Sequence, residues 1–120
     1  DLDWSSEKIH LVEGPFDLIK CTKVNATCLL GSSLNIESEL FRKLVTYPEK
    51  IILALDADAK LKQDKIAKLL MSYDKEVYWV HPPEEGYDWG DLSPDEVEEH
   101  MQNFHQYTPE SNLLRMIQNL

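Results

Sequence analysis

The feature that most constrains the fold is the alternation of two kinds of hydrophobic pattern. Four short apolar runs, Ile9 to Val12, Ala26 to Leu30, Ile51 to Leu55 and Val77 to Val80, are continuous or nearly so. That is how strands covered on both faces read. Between them, apolar residues recur at helical spacing. Leu40, Phe41, Leu44 and Val45 form one stripe, stopped at Tyr47-Pro48, and Ile66, Leu69, Leu70 and Tyr73 form another. Pro15, close after the first run, stands where a first helical residue belongs. Strand and helix in alternation predict a parallel α/β sheet with right-handed crossovers. The end of the chain reads as helix. Ser93-Pro94-Asp95-Glu96 has the form of a capping box, and Thr108-Pro109 opens a further helix carrying Leu113, Leu114, Ile117 and Leu120.

A chain of 120 residues suffices for one domain with a real core, and 42% hydrophobic with 28% charged residues is globular composition. No apolar run approaches the roughly 18 residues of a membrane span, and nothing resembles a signal peptide, so the expectation is a soluble, cytoplasmic protein without a membrane partner. The chain begins at Asp1, which suggests a piece of something larger. Cys21 and Cys28 lack CxxC spacing and read as reduced core thiols. Net charge is −10, and residues 84 to 110 carry nine acidic side chains with no Lys or Arg. A whole-domain positive field able to hold nucleic acid by counterion release is therefore excluded. If the domain acts on nucleic acid, metal ions or neighbouring domains must supply the positive charge.

The acidic residues fall in a pattern. Glu13 follows the first apolar run, with Asp17 four residues on; Asp56 and Asp58 follow the third; Asp88 and Asp91 lie in a Gly-flanked loop after the fourth. In a parallel sheet all of these belong to the carboxyl edge, where ligands of open α/β sheets bind. Asp56 and Asp58, spaced by two, point to one side of an extended chain. If the first and third strands are neighbours, Glu13, Asp17, Asp56 and Asp58 converge. Two carboxylates about 4 Å apart repel by roughly 4 kcal/mol at an effective dielectric of 20. A cluster of several asks for a cation, and oxygen ligands without His or Cys select hard ones, Mg²⁺ (or Mn²⁺) first. Helix capping and loop solvation are the alternative uses for Asp17, Asp88 and Asp91 taken singly.

These residues, in this order, resemble the TOPRIM domain shared by bacterial and phage primases, type IA and type II topoisomerases and some nucleases. "VEGPFD", with Glu13, Gly14 and Asp17, is similar to the E-G-x-x-D motif of primase-type members, and "LDADA" to the family's DxD. "CLLGSSL" resembles the small-residue loop after the second strand, and "YDWGDL" the third acidic motif of phage and plasmid primases. The sequence departs from many primases in having no glycine shortly after the DxD. The resemblance implies a Rossmann-like TOPRIM fold: a four-stranded, mainly parallel sheet flanked by helices over residues 1 to 107 (core 8 to 103). A C-terminal helical extension over 108 to 120 packs on the domain or leads to a further one.

The resemblance also implies chemistry, that of a nucleotidyltransferase acting in DNA replication. Asp56 and Asp58 are expected to hold Mg²⁺, Glu13 to bind metal or move a proton, and Asp17, Asp88 and Asp91 to serve a second metal or surround the first. Gly14 is expected to let a nucleotide come close, with the helix opening at Pro15 turned to its phosphate. Ser32, Lys60 and Lys62 are expected to meet phosphate or template, though Lys60, Lys62, Lys65 and Lys68 also fit a solvated helix face. The function implied is RNA primer synthesis from NTPs on a single-stranded DNA template, in a phage- or plasmid-type primase with other primase or helicase domains. A TOPRIM nuclease, topoisomerase-like phosphodiester cleavage and a non-catalytic assembly module are the alternatives. A phospho-acceptor receiver domain would need a fifth strand with a lysine, and none is visible after Val80.

Overall fold

The structure is a computed structural model that describes residues 3–29, 37–56, 58–83 and 88–108. Ser32 and the expected C-terminal helix lie outside the described residues. The four expected strands are present as β1 (Lys8–Val12), β2 (Ala26–Cys28), β3 (Lys50–Ala54) and β4 (Glu76–Trp79), all parallel. A fifth strand, β5 (His105–Gln106), pairs antiparallel with β4, so the sheet has five strands rather than four, in the order β2-β1-β3-β4-β5. β5 is two exposed residues without an apolar pattern and carries no lysine. Tyr107 beyond it is buried, its backbone N–H bonded to the carbonyl of Val77.

The continuous apolar runs are explained by burial on both faces. Ile9, Leu11, Ile51, Leu53 and Leu55 point to one face, and Val12, Ile52 and Ala54 to the other. The first face is covered by α2 (Glu39–Thr46) through Phe41 and Leu44, and by α3 (Lys60–Met71) through Ile66, Ala67 and Leu70. The second is covered by Cys21 beyond α1 (Pro15–Ile19), by Trp89 and Leu92, and by Val97 and Met101 of α4 (Pro94–Met101). Each fully buried Leu or Ile contributes about 1.5–3 kcal/mol relative to exposure.

Local signals set the helix ends. Pro15 is the first residue of α1, and Ser38 accepts from the Phe41 N–H at 3.1 Å to start α2. At α4 the Ser93 hydroxyl accepts from the Glu96 N–H while the Glu96 carboxylate accepts from the Ser93 N–H. Cys21 and Cys28 are free and buried, and burial pushes the Cys21 thiol up to about 11. Among the described residues no helix is long and apolar enough to cross a membrane.

The strand order places the site. From β1 the chain crosses through α1 to the edge strand β2, then returns through α2 on the opposite face to β3, on the other side of β1. The carboxyl ends of β1 and β3 therefore flank the point where connections diverge, the natural ligand crevice of such a sheet.

Candidate active site

Glu13 and Asp56 each follow the last residue or two of these neighbouring strands, whose register pairs Val12 with Ala54. They meet across the crevice. The Asp56 backbone N–H donates to Glu13 Oε1 at 2.9 Å, and the Lys62 ammonium lies 3.5 Å from Glu13 Oε2. Lys62 sits in the first turn of α3, which follows the short segment after β3.

That segment is not extended. Ala59 N–H donates to the Asp56 carbonyl at 3.0 Å, so the chain turns immediately after Asp56, and Asp58 is exposed in the turn. The two DxD carboxylates are therefore not equivalent, which corrects the same-side geometry expected of an extended pair. The turn closed by the Ala59 N–H bends the chain before α3 begins at Lys60. Asp56 is half-buried, and its Oδ1 is shielded from solvent with no hydrogen-bond partner among the described residues. Burial, then the charges of Glu13, Asp17, Asp88 and Asp58, push its carboxyl up to about 6.

Asp17 projects from α1 and is buried, 7% exposed. Burial and the Asp88 charge raise its pKa, opposed by the Gly90 N–H, which donates to Asp17 Oδ1 at 3.2 Å. Glu13, Asp17, Asp56, Asp58 and Asp88 thus share one electrostatic neighbourhood. Asp91 is used differently. Residues Trp89–Asp91 form a single 3-10 turn, in which Asp91 Oδ2 accepts from the Asp88 N–H at 3.0 Å and the Asp88 carboxylate accepts in return from the Asp91 N–H. Gly90 allows this closeness, since a Cβ there would lie 3.0 Å from Asp88 Oδ1. Trp89 is fully buried and donates from Nε1 to the Ala54 carbonyl at 2.8 Å, pinning the turn under the end of β3.

Gly14 precedes α1 in extended conformation, and a Cβ there would meet nothing within 4 Å among the described residues. α1 is only five residues long, so its dipole adds little at Pro15. Lys60 is half-buried, whereas Lys65 and Lys68 are exposed, Lys68 paired with Asp64 at 3.1 Å.

Among the described residues no three His, Cys, Asp or Glu side chains form a ready-made metal cage. The side chains around Asp56 are carboxylates, and Asp56 Oδ1 is buried with no hydrogen-bond partner among the described residues, its carboxyl pushed up to about 6 by burial and by those neighbours. Those properties fit a hard divalent cation that keeps most of its own water. The sequence did not reveal the Lys62–Glu13 pair or the Asp56 N–H as a partner of Glu13. The only available signal was a lysine in a first helical turn, where the dipole disfavours it.

No family model and no curated protein matches this sequence. Among solved structures, the chain is similar to the Aquifex aeolicus primase crystal structure that comprises zinc-binding and RNA polymerase domains. The TM-score is 0.68 at 25% sequence identity, covering 91% of this chain and 30% of that one. The fold is thus primase-like, and the chain spans less than a third of that primase chain.

Proposed function

We propose that this chain is a TOPRIM domain of the primase type, from a phage- or plasmid-like replication protein, and that it performs Mg²⁺-dependent nucleotidyl transfer in RNA primer synthesis. Glu13 and Asp56 meet at the ends of adjacent parallel strands, and Asp56 Oδ1 has no partner among the described residues; this arrangement carries the reading. The similarity to a primase over 91% of the chain supports it, as do the Glu13-Gly14-Asp17, Asp56/Asp58 and Asp88/Asp91 motifs.

Asp56 and Glu13 would hold the cation, with Asp58 and Asp88 close enough in charge to add to its attraction. When bound, Mg²⁺ neutralises phosphate charge and orients the reacting oxygens, which is most of what phosphoryl transfer asks. The residues around it do the positioning. The Asp56 N–H fixes the Glu13 carboxylate, which in its ionised form is also able to accept a proton from a hydroxyl. Gly14 keeps the space over the start of α1 clear for a nucleotide. Asp91 and Trp89 hold the loop that presents Asp88 and so act through it. Lys60 and Lys62 supply positive charge for phosphate at the start of α3. With a net charge of −10, template binding falls to basic neighbouring domains of the parent protein.

The test supplies NTPs, Mg²⁺ and a single-stranded template to the parent protein that contains this chain. Short labelled oligoribonucleotides that disappear with Asp56→Asn are expected. Shortening of labelled nucleic acid without NTPs would replace the reading with a TOPRIM nuclease, and neither activity would leave an assembly module.

A further inference from the structure

The cation already present in this site belongs to the protein. Glu13 has both oxygens engaged, Oε1 by the Asp56 N–H at 2.9 Å and Oε2 by the Lys62 ammonium at 3.5 Å. Both side chains of the ion pair are about three-quarters buried, 27% and 24% exposed, so the pair is poorly screened. Lys62 is also the third residue of α3, where a cation opposes the helix dipole, and α3 has no acidic residue in its first turn to compensate. The compensation comes from Glu13, the residue after β1. Asp56, by contrast, feels four neighbouring carboxylates and has an oxygen with no partner among the described residues.

We propose that Lys62 is the resident counter-ion of the site, displaced from Glu13 when a divalent cation binds and thereby released to take a phosphate oxygen of the incoming nucleotide. This rests on the metal-dependent reading given above and adds its regulation: metal and nucleotide bind in order, because metal frees the lysine that receives the phosphate. An ammonium and a divalent cation sharing one carboxylate repel each other, so the two states exclude one another. The four-carbon stem of lysine lets the charge move several ångströms without disturbing α3. The site then stays neutralised when metal is scarce and gains phosphate affinity only when metal is present.

The experiment is a calorimetric titration of the 120-residue chain with Mn²⁺, followed by ATP at saturating Mn²⁺. Five proteins are compared: unsubstituted, Lys62→Met, Lys62→Gln as a second neutral replacement, Glu13→Gln and the Lys62→Met/Glu13→Gln double variant. Lys62→Met and Lys62→Gln are expected to bind Mn²⁺ about tenfold tighter and ATP about tenfold more weakly. Glu13→Gln should itself weaken Mn²⁺ binding through the lost carboxylate, and in that background removal of Lys62 should give no gain in Mn²⁺ affinity, because the lysine then has no carboxylate to leave. Loss of measurable Mn²⁺ binding in an Asp56→Asn control, with no weakening in Glu13→Gln, would overturn the exchange. Equal Mn²⁺ affinity with and without Lys62 would overturn the exchange while leaving the metal site standing. A gain that persists undiminished without Glu13 would also overturn it, since that is general repulsion. No Mn²⁺ binding by any of the five proteins would overturn the metal-dependent reading and the exchange together.

Discussion

Two pairs of acidic residues at the same edge of the sheet have opposite fates. Asp88 and Asp91 close on each other, each carboxylate accepting the other residue's backbone N–H in a turn anchored by Trp89. Glu13 and Asp56 close only halfway. Glu13 is satisfied by the Asp56 N–H and by Lys62, while the Asp56 carboxylate is left crowded by like charge and pushed up to about 6. Both members of the first pair accept hydrogen bonds that hold a loop, whereas in the second an Asp56 oxygen has no partner among the described residues. Stability and binding should therefore separate between them when each is altered.

The largest effect belongs to the anchor of the self-satisfied turn. Trp89→Ala removes a fully buried indole and leaves the Ala54 carbonyl without its donor. It should destabilise the fold by about 3–5 kcal/mol in urea denaturation, as large-to-small core substitutions do. A loss below about 1 kcal/mol would mean that the loop is not pinned from beneath and that Trp89 is available to a ligand. Next comes Asp91→Ala, which removes one half of the reciprocal cap and should cost about 1 kcal/mol at neutral pH. Asp91→Asn, which keeps an acceptor oxygen, should cost clearly less.

The smallest change in stability has the opposite sign. The Asp56 carboxyl has its pKa raised in the fold, from an ordinary 3.8 to about 6, by burial first and then by its acidic neighbours. The folded protein therefore holds this proton more tightly than the unfolded chain. The group favours folding below about pH 4, and that contribution is lost as pH rises toward 6. Asp56→Asn should raise metal-free stability above pH 6 by up to about 1 kcal/mol after solvent screening, and by nothing near pH 4. A gain that is flat with pH would show that the shift at Asp56 is not the cause.

Much of this was legible in the chain. The four apolar runs became four parallel strands because they are buried on both faces, and a continuous hydrophobic run has few other uses. Pro15 and the Ser93 box mark helix starts by local chemistry alone, and the structure keeps both. β5 was not legible, because His105 and Gln106 are exposed and join the sheet only through backbone bonds to β4. The acidic positions could be read off, but not their division of labour. Whether Asp88 and Asp91 cap one another depends on a three-residue turn closing, and an Asp-rich loop reads the same either way. Nor does spacing reveal that the chain turns after Asp56, which sends Asp58 to the surface, or that Lys62 reaches back across the crevice to β1. Those contacts join residues 43 and 49 positions apart, and only the folded sheet brings them together.

The carboxylates at the ends of β1 and β3 are proposed to form a divalent-cation site, with Asp91 holding the neighbouring turn instead of the cation. The most direct test is the melting temperature of the unsubstituted chain, Asp91→Ala and Asp56→Asn with and without Mg²⁺ or Mn²⁺ at pH 7.5. At about a hundred times its dissociation constant the metal should stabilise the unsubstituted chain by about 2.7 kcal/mol. Asp91→Ala should melt lower yet gain the same increment, and Asp56→Asn should gain almost none. An unsubstituted chain whose melting ignores millimolar metal would contradict the claim, as would an increment that follows Asp91 rather than Asp56.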